Sequence, residues 1–590
     1  MKHIRWIASF WKPHRKWLYA LFFLTLLSSA VTIGYPLVFK YLIDAINKAL
    51  ANNAPEVSSS VTWRLVGVIA AIGLARSLAN LYPGTRAMIN AKLEMDIRQH
   101  YFSAIVGKGY RFFQKFRTGD LVTRLTDDIG GFPKIAWFSC SGIFRAVESG
   151  SKFLFCMGFM FYMNWLLAVL TLPPLAVMLY LFYRVRTILG QRAADRQRII
   201  SKTNDALEAA FSGVRIVKAF TAENGQAAEF RKILKERIGI ELLLMTLWMG
   251  MHNLYWAIEF VGQIVVVVAG GLMVINGTLT IGEFYAFYVY LSLLLGPLMD
   301  IPNLFVTSRQ AFASIDREIE IEETPGGTER AFDGKEEVPA LNSLEIRGAS
   351  FKYNENLPCS LDGIDISISR GERVAVVGQV GSGKSTLLKM AAGILPITAG
   401  EVLVNGMPIE KLDIAKYRNR VGYIPQEATL FSETVADNVR FGRAVTESDV
   451  ERSLEVAQVL DEMKSLPNGL AQVLGQRGLT ISGGQKQRLA IARALAGSPD
   501  LLLMDDCTAS LDAENERAFW QMFRETNPDA ACLIVTHRLA TARQADTIYV
   551  LADGKIVGKG THQELLENCE EYRSFLTREE LVAALKPAVV

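Results

Sequence analysis

The chain has 590 residues, of which 50% are hydrophobic and 21% charged, with a net charge of +3 and a mean hydropathy of +0.20. These figures exclude a disordered chain and a disulfide scaffold, and the near-neutral charge gives no sign of a nucleic-acid partner. The six cysteines are scattered, with no C-x-x-C or Cys/His spacing that would indicate a zinc site.

In chain order, residues 1–16 are basic and aromatic (Lys2, Arg5, Lys12, Arg15 and Lys16), with no small-residue cleavage site after them. They read as an interfacial helix rather than a signal peptide. Six apolar stretches of membrane length follow: roughly Trp17–Ile43, Val61–Tyr82, Ile135–Met160, Trp165–Tyr183, Thr246–Ile275 and Thr280–Leu304. The third and fifth are interrupted by polar residues. The connections around Asn164 and Asn276-Gly277-Thr278 carry no Lys or Arg. The positive-inside rule therefore puts the N-terminus, and the chain after the sixth span, in the cytoplasm. The long connections, 84–134 and 186–245, are charged and helix-forming. They predict helices that continue well beyond the bilayer on the cytoplasmic side.

Ionisable residues lie inside the spans: Arg145, Glu148 and Lys152 in the third, Glu259 in the fifth and Asp300 late in the sixth. The first three fall at i, i+3 and i+7, so Glu148 can pair with either cation. Such a cluster is either a self-neutralising structural feature or the lining for a polar or charged substrate. Tyr285, Phe287, Tyr288 and Tyr290 read as packing or lipid-facing residues.

After about residue 322 the chain reads as a soluble α/β domain. The expected organisation is an interfacial helix at 1–16, a membrane domain at 17–322, a linker at 323–341, a soluble α/β domain at 342–580 and a tail at 581–590. Gly378-Gln379-Val380-Gly381-Ser382-Gly383-Lys384-Ser385 matches G-x-x-x-x-G-K-[ST]. The buried-strand run Val374–Val377 precedes it, and a helical stretch beginning Ser385-Thr386 follows, which is the strand–loop–helix setting of a P-loop. Backbone N–H groups freed by Gly378, Gly381 and Gly383, with Ser382 and Thr386 beside them, are suited to wrapping ATP phosphates. Lys384 is expected to reach the β- and γ-phosphates, and Ser385 to bind Mg²⁺. Leu501–Asp505 is a second apolar strand ending in a carboxylate. This is the Walker B pattern, with Asp505 as a further Mg²⁺ ligand. Leu533–Thr536 is a third strand, and it runs into His537.

Ile481-Ser482-Gly483-Gly484-Gln485 resembles the signature motif of ABC transporters. Tyr423-Ile424-Pro425-Gln426 is similar to the Q-loop, Tyr353 to the aromatic A-loop, Ala509-Ser510-Leu511-Asp512 to the D-loop and His537 to the switch histidine. In the membrane half, 118–128 and 207–220 are similar to the two intracellular loops of ABC exporters. The chain thus resembles a half-size ABC exporter, of the group that includes multidrug exporters and lipid A flippases. The resemblance implies a six-helix transmembrane exporter domain with long cytoplasmic extensions, followed by an α/β P-loop nucleotide-binding domain. It implies a dimer in which each ATP is held between one subunit's Walker A and the other's signature, here Ser482, Gly483, Gly484 and Gln485. Tyr353 would stack on adenine and Gln426 would contact Mg²⁺. Asp506, His537 and Gln426 would serve hydrolysis. Coupling helices are expected near Arg111–Arg117 and Phe211–Arg215.

The sequence departs from the family pattern at Asp506, where a glutamate base is usual, and at Cys507, where proline is usual. Gln476 replaces a common glutamate, and Ala509-Ser510 reverses the usual order. One missing methylene withdraws the carboxylate by roughly 1 Å, a displacement that can cost on the order of 10²-fold in rate. Asp506 resembles the degenerate site of heterodimeric exporters. The expected function is ATP-driven efflux of a hydrophobic or amphipathic solute, such as a drug or lipid, by one half of a heterodimer in a bacterial cytoplasmic membrane. The alternatives are an importer built on the exporter fold, as in some siderophore systems, a slow homodimeric lipid flippase, and a gated or regulatory subunit.

Overall fold

The computed structural model describes residues 2–51, 59–325, 332, 334–354, 357–475, 481–507, 511 and 513–574. The chain divides into two units: Met1–Ile105 with Gly119–Glu323, and Val106–Thr118 with Thr324–Val590.

Among its described residues the first unit is built of helices joined by short turns. Helices α1 (Lys2–Trp11), α2 (Arg15–Ala51), α3 (Ser59–Ala79) and α4 (Leu81–Val106) open it. The short helix α5 (Tyr110–Lys115) that follows belongs to the second unit. The first unit resumes with α6 (Thr118–Thr123), α7 (Ile143–Met163), α8 (Trp165–Ser212), α9 (Val214–Ala219), α10 (Glu223–Val265) and α11 (Ile281–Glu323). Among the described residues, five helical stretches are long and apolar enough to cross a membrane: Lys2–Lys48, Val66–Val106, Trp165–Ser212, Glu223–Ile275 and Ile281–Glu323. Helix α7, which carries Arg145, Glu148 and Lys152, is the remaining helix expected from the sequence to span, and it is not among the five.

Helix α8 has 48 residues and α10 has 43. At 1.5 Å per residue they run about 72 and 65 Å, more than twice the roughly 30 Å hydrocarbon core. Their polar halves are held side by side by Arg196–Glu241 and Lys202–Glu236, each at 2.9 Å. Helix α8 begins sharply because the Asn164 side chain accepts a hydrogen bond from the Leu167 N–H at 3.0 Å, a cap that makes the preceding turn a single residue. Pro173 and Pro174 sit inside α8, a position tolerated where neighbouring helices re-satisfy the backbone.

Aromatic packing sets the bundle. Phe287 and Tyr290 of α11 are fully buried. The Tyr290 hydroxyl donates to the Ile33 carbonyl at 2.7 Å, and its ring stacks on Phe159 at 6.1 Å. The N-terminal helix α1 also turns its aromatic face onto protein: Trp6, Ile7 and Trp11 are buried. Trp6 Nε1 donates to the Tyr101 hydroxyl and Trp11 Nε1 to the Ser139 carbonyl, both at 2.9 Å.

The described residues of the second unit form two sheets. One is antiparallel, ordered β2-β1-β4-β5, from β1 (Ser343–Phe351), β2 (Leu361–Ser369), β4 (Ala399–Val404) and β5 (Met407–Pro408). The other is ordered β10-β9-β3-β8-β7-β6. It comprises β3 (Arg373–Val377), β6 (Val421–Ile424), β7 (Leu501–Asp505), β8 (Ala531–Val535), β9 (Thr547–Ala552) and β10 (Lys555–Gly560). Its neighbours are parallel except for the β9–β10 hairpin. Both faces of this sheet are covered, so β7 and β8 are buried at every residue and read as unbroken apolar runs. Alternate side chains serve different cores. Leu501 and Leu503 join the cluster built around the antiparallel sheet, while Leu502 and Met504 join the cluster formed with the helices on the other face.

Helix α12 (Lys384–Ala391) follows β3 and α13 (Gly483–Leu495) precedes β7. Helix α5 is grouped with this unit by direct packing. Tyr110 lies against the first core, and Lys389 Nζ of α12 sits 5.2 Å above the Tyr110 ring.

Replacing Trp6 by Ala removes a buried aromatic and its hydrogen bond to Tyr101. The variant should lose about 3 kcal/mol of stability and unfold at a lower temperature by differential scanning fluorimetry in detergent, whereas Ile4→Ala, at an exposed position, should not.

Candidate functional site

The site begins where β3 runs out. Residues 378–383 turn from the strand into α12, and two of their glycines are wedged against neighbouring backbone. Gly383 has φ +104°, and a Cβ there would lie 2.5 Å from the Ser360 carbonyl oxygen. A Cβ on Gly378 would lie 2.1 Å from the Leu551 carbonyl oxygen. No other residue type fits either place. The loop thereby keeps its backbone N–H groups at the N-terminal end of α12, where the helix dipole adds positive potential.

Lys384 folds back over this loop. Its Nζ donates to the carbonyls of Gly378 at 2.9 Å and Gln379 at 2.7 Å. Burial pushes its pKa down, and the charges of Asp506 and Asp505 oppose that push. Ser385 Oγ donates to Asp505 Oδ1 at 3.1 Å. Burial raises the Asp505 carboxyl, and the Ser385 hydrogen bond works against the rise. The Tyr353 hydroxyl and Thr386 Oγ1 are 2.9 Å apart, and the Tyr353 ring meets Phe351 edge-on.

Asp506 adopts φ +48°, a left-handed conformation that aspartate tolerates better than most residues. Its N–H donates to the Val535 carbonyl at 2.8 Å. Its Oδ1 accepts the backbone N–H of His537 at 3.3 Å, so the short carboxylate is tied to the segment just past β8. Burial and the Lys384 charge hold the His537 pKa below its ordinary value, which leaves the imidazole neutral at pH 7.

Most of these groups share one cavity of about 600 Å³, a size suited to a nucleotide-sized ligand, and Gly378 and Ser382 of the same loop do not line it. Tyr353, Gly381, Gly383, Lys384, Ser385, Thr386, Gln426, Asp505, Asp506 and His537 all line it. So do Pro358, Cys359, Ser360, Asp553 and Gly554, which the sequence did not single out. Asp553-Gly554 carried a usable signal, since Asp-Gly between two strands marks a tight hairpin. The Gly554 N–H donates to the Ser382 carbonyl at 3.2 Å and so brings the β9–β10 turn onto the P-loop. No pattern marked 358–360, which arrive through the placement of β2.

The signature residues are elsewhere. Ser482, Gly483, Gly484 and Gln485 do not line this cavity. Ser482 caps α13 through a reciprocal pair: its Oγ accepts the Gln485 N–H at 3.2 Å, and Gln485 Oε1 accepts the Ser482 N–H at 2.8 Å. Gln487 on the same helix donates from Nε2 to the Pro425 carbonyl at 3.2 Å. The signature helix and the Gln426 loop are therefore joined directly. Gln476, Ala509, Ser510 and Asp512 lie outside the described residues.

The donor set suits magnesium. A serine hydroxyl and one carboxylate stand at the P-loop, and among the described residues no group of three or more His, Cys, Asp or Glu could hold a metal by itself. Mg²⁺ takes few protein ligands and completes its shell with water and phosphate oxygens.

Comparison with known proteins agrees with this architecture. The family profile of the ABC transporter transmembrane region matches residues 18–298, and the ABC transporter profile matches residues 361–509. The chain is 30% identical over 502 residues to the probable multidrug resistance ABC transporter ATP-binding/permease protein YheI of Bacillus subtilis, covering 83% of this chain and 84% of that one. It is 31% identical over 568 residues to the multidrug efflux ATP-binding/permease protein of Mycobacterium bovis, covering 96% of this chain and 46% of that longer protein. A solved bacterial Atm1-family ABC exporter with ATP bound superposes with a TM-score of 0.78 at 21% identity, over 96% of this chain and 99% of that one. The chain belongs to the ABC transporter family, as a half-size exporter with its transmembrane region ahead of its ATP-binding domain.

Gly383→Ala is expected to weaken nucleotide binding, because its Cβ collides with Ser360 and the loop must move. Titration with a fluorescent ATP analogue should show affinity at least tenfold weaker than wild type, while Gly277→Ala, in the turn between α10 and α11, should bind normally.

Proposed function

We propose that this chain is one half of a heterodimeric exporter and drives a hydrophobic or amphipathic solute, a drug or lipid, out of the cytoplasm. The N-terminus and the ATPase domain lie in the cytoplasm in this reading, as the distribution of Lys and Arg requires. Lys384 and the loop N–H groups bind the ATP phosphates, and Tyr353 receives the adenine. Mg²⁺, held by Ser385, Asp505 and Gln426, would neutralise phosphate charge during transfer to water. His537, neutral at pH 7, can donate to the γ-phosphate from one ring nitrogen. Ser482, Gly483, Gly484 and Gln485 complete the partner's ATP site. In this reading the segments Arg111–Arg117 and Phe211–Arg215 serve as the coupling helices that pass motion between the ATPase and membrane domains.

The observation that carries the heterodimer reading is the state of Asp506. It stands one methylene short of the usual base, and its Oδ1 is engaged by the His537 N–H. A general base must reach the attacking water within hydrogen-bond distance. A shortened, tethered carboxylate is poorly placed to do so, whereas the signature helix is fully formed and capped. Such a chain binds ATP at its own Walker site and lends a competent signature to its partner's site. Intact His537 and Gln426 favour the competing slow homodimer, in which the same site still turns over.

The two readings differ in the ATPase activity of the chain purified alone in lipid nanodiscs. The heterodimer reading expects slow hydrolysis that Asp506→Glu raises, by up to the order of 10²-fold. Rapid wild-type hydrolysis that Asp506→Glu leaves unchanged would contradict it.

A further inference from the structure

The membrane unit contains a second cavity, about 530 Å³ in volume, between α2, the α3–α4 junction, α7 and α11. Its lining is charged. Arg86, Arg145 and Lys152 face Glu148 and Asp300 there, with Asn80 and Ser149 beside them. The depth is considerable. Lys152 lies eleven residues before the end of α7 at Met163, about 16 Å along the axis, and Glu148, which Arg86 approaches, about 22 Å, so both fall within a 30 Å hydrocarbon core measured from that end.

The charges do not cancel. Arg145 grips Asp300 with two bonds, Nε to Oδ2 at 3.1 Å and Nη2 to Oδ1 at 3.0 Å. Ser149 Oγ adds a third donor to Asp300 at 3.0 Å. Lys152 Nζ holds Glu148 Oε1 at 2.7 Å. That leaves Arg86. Its Nη1 is 3.8 Å from Glu148 Oε2, beyond hydrogen-bond distance, and instead donates to the Tyr82 hydroxyl at 3.2 Å. Among these five groups there is one cation more than there are carboxylates, and it belongs to a guanidinium whose planar fork suits carboxylate and phosphate.

A surplus positive charge within a membrane-spanning bundle is costly unless something neutralises it, and intramembrane ionisable groups mark substrate paths. We propose that this cavity is a headgroup subsite that takes an amphiphile with a negatively charged head, a carboxylate or phosphate ester. Arg86 supplies the bidentate contact, and Lys152 is available as Glu148 turns aside. Arg145 and Asp300 form the fixed, already satisfied wall. The cavity volume holds a polar head and its first methylenes, so the tail remains among the apolar side chains around it. The proposal rests on the transporter reading above and names the substrate class for it.

The test is binding of a matched series to the full protein in phosphatidylcholine nanodiscs, by calorimetric titration with empty discs as the blank. The probes share a dodecyl chain and differ in the head: dodecyl phosphate, dodecyl maltoside and dodecyltrimethylammonium. Dodecyl phosphate should bind at least tenfold more tightly than the other two. Arg86→Gln should remove that preference, and Arg86→Lys should keep part of it. Equal affinity for all three heads in the wild-type protein would overturn the proposal, and that result needs no variant to fold. Displacement of dodecyl phosphate by equimolar inorganic phosphate would also overturn it, by showing a site for a free anion. If the wild type shows no ATPase that Lys384→Ala removes, the transporter reading fails and the subsite with it. If that ATPase is present but no head is preferred, only the subsite fails.

Discussion

The ATP-binding domain depends on close approach of backbones around residues 378–383. Phosphates need a cluster of inward N–H donors, and a loop can present them only where side chains are absent. Gly383 abuts Ser360 at the edge of the antiparallel sheet, and Gly378 abuts Leu551 of the parallel sheet. The loop is therefore wedged between the two sheets, and the packing of both is a condition of the site. The β9–β10 hairpin tip closes on it through Gly554 and Ser382. On the other side, β7 and β8 deliver Asp505, Asp506 and His537 to the same cavity from adjacent parallel strands. The Gln487–Pro425 bond then ties the signature helix to the Gln426 loop. Occupancy of the cavity can thus be felt by the signature helix.

The same logic in a different medium governs the membrane unit. No water is available there to solvate stray polar groups, so side chains must supply partners. Asn164 caps α8, Tyr290 satisfies the Ile33 carbonyl, and Arg145 is neutralised by Asp300 from another helix. The long helices α8 and α10 leave the apolar zone and are then laced by ion pairs suited to water. Their exposed pairs contribute little stability individually, and their value is in keeping two long rods in register.

Much of this was legible in the sequence, for reasons that differ by element. Phosphate and magnesium chemistry constrains residue type and spacing within a short segment, so Lys384, Ser385 and Asp505 could be read directly. That alternate side chains of β7 serve two different cores was visible only as an unbroken apolar run, because both faces are covered. Contacts made by chain segments far apart were not legible. Spacing on α7 allowed Glu148 to pair with either neighbour. In the structure it takes Lys152, while Arg145 turns to Asp300 across 155 residues and Arg86 joins from α4. Cys359 and Ser360 reach the nucleotide cavity through strand placement, which no local pattern encodes. Residues 1–16 read as a basic, aromatic interfacial helix, and the structure adds that Trp6 and Trp11 of α1 dock on Tyr101 and Ser139.

The central claim is that one chain holds a weakened ATP site and lends a sound signature to a different partner. Native mass spectrometry of the tagged chain, extracted intact from its own membrane, tests this most directly. The account predicts one copy of this chain with one copy of a second half-transporter, whose Walker B carries glutamate after its aspartate. A complex holding only copies of this chain would contradict it.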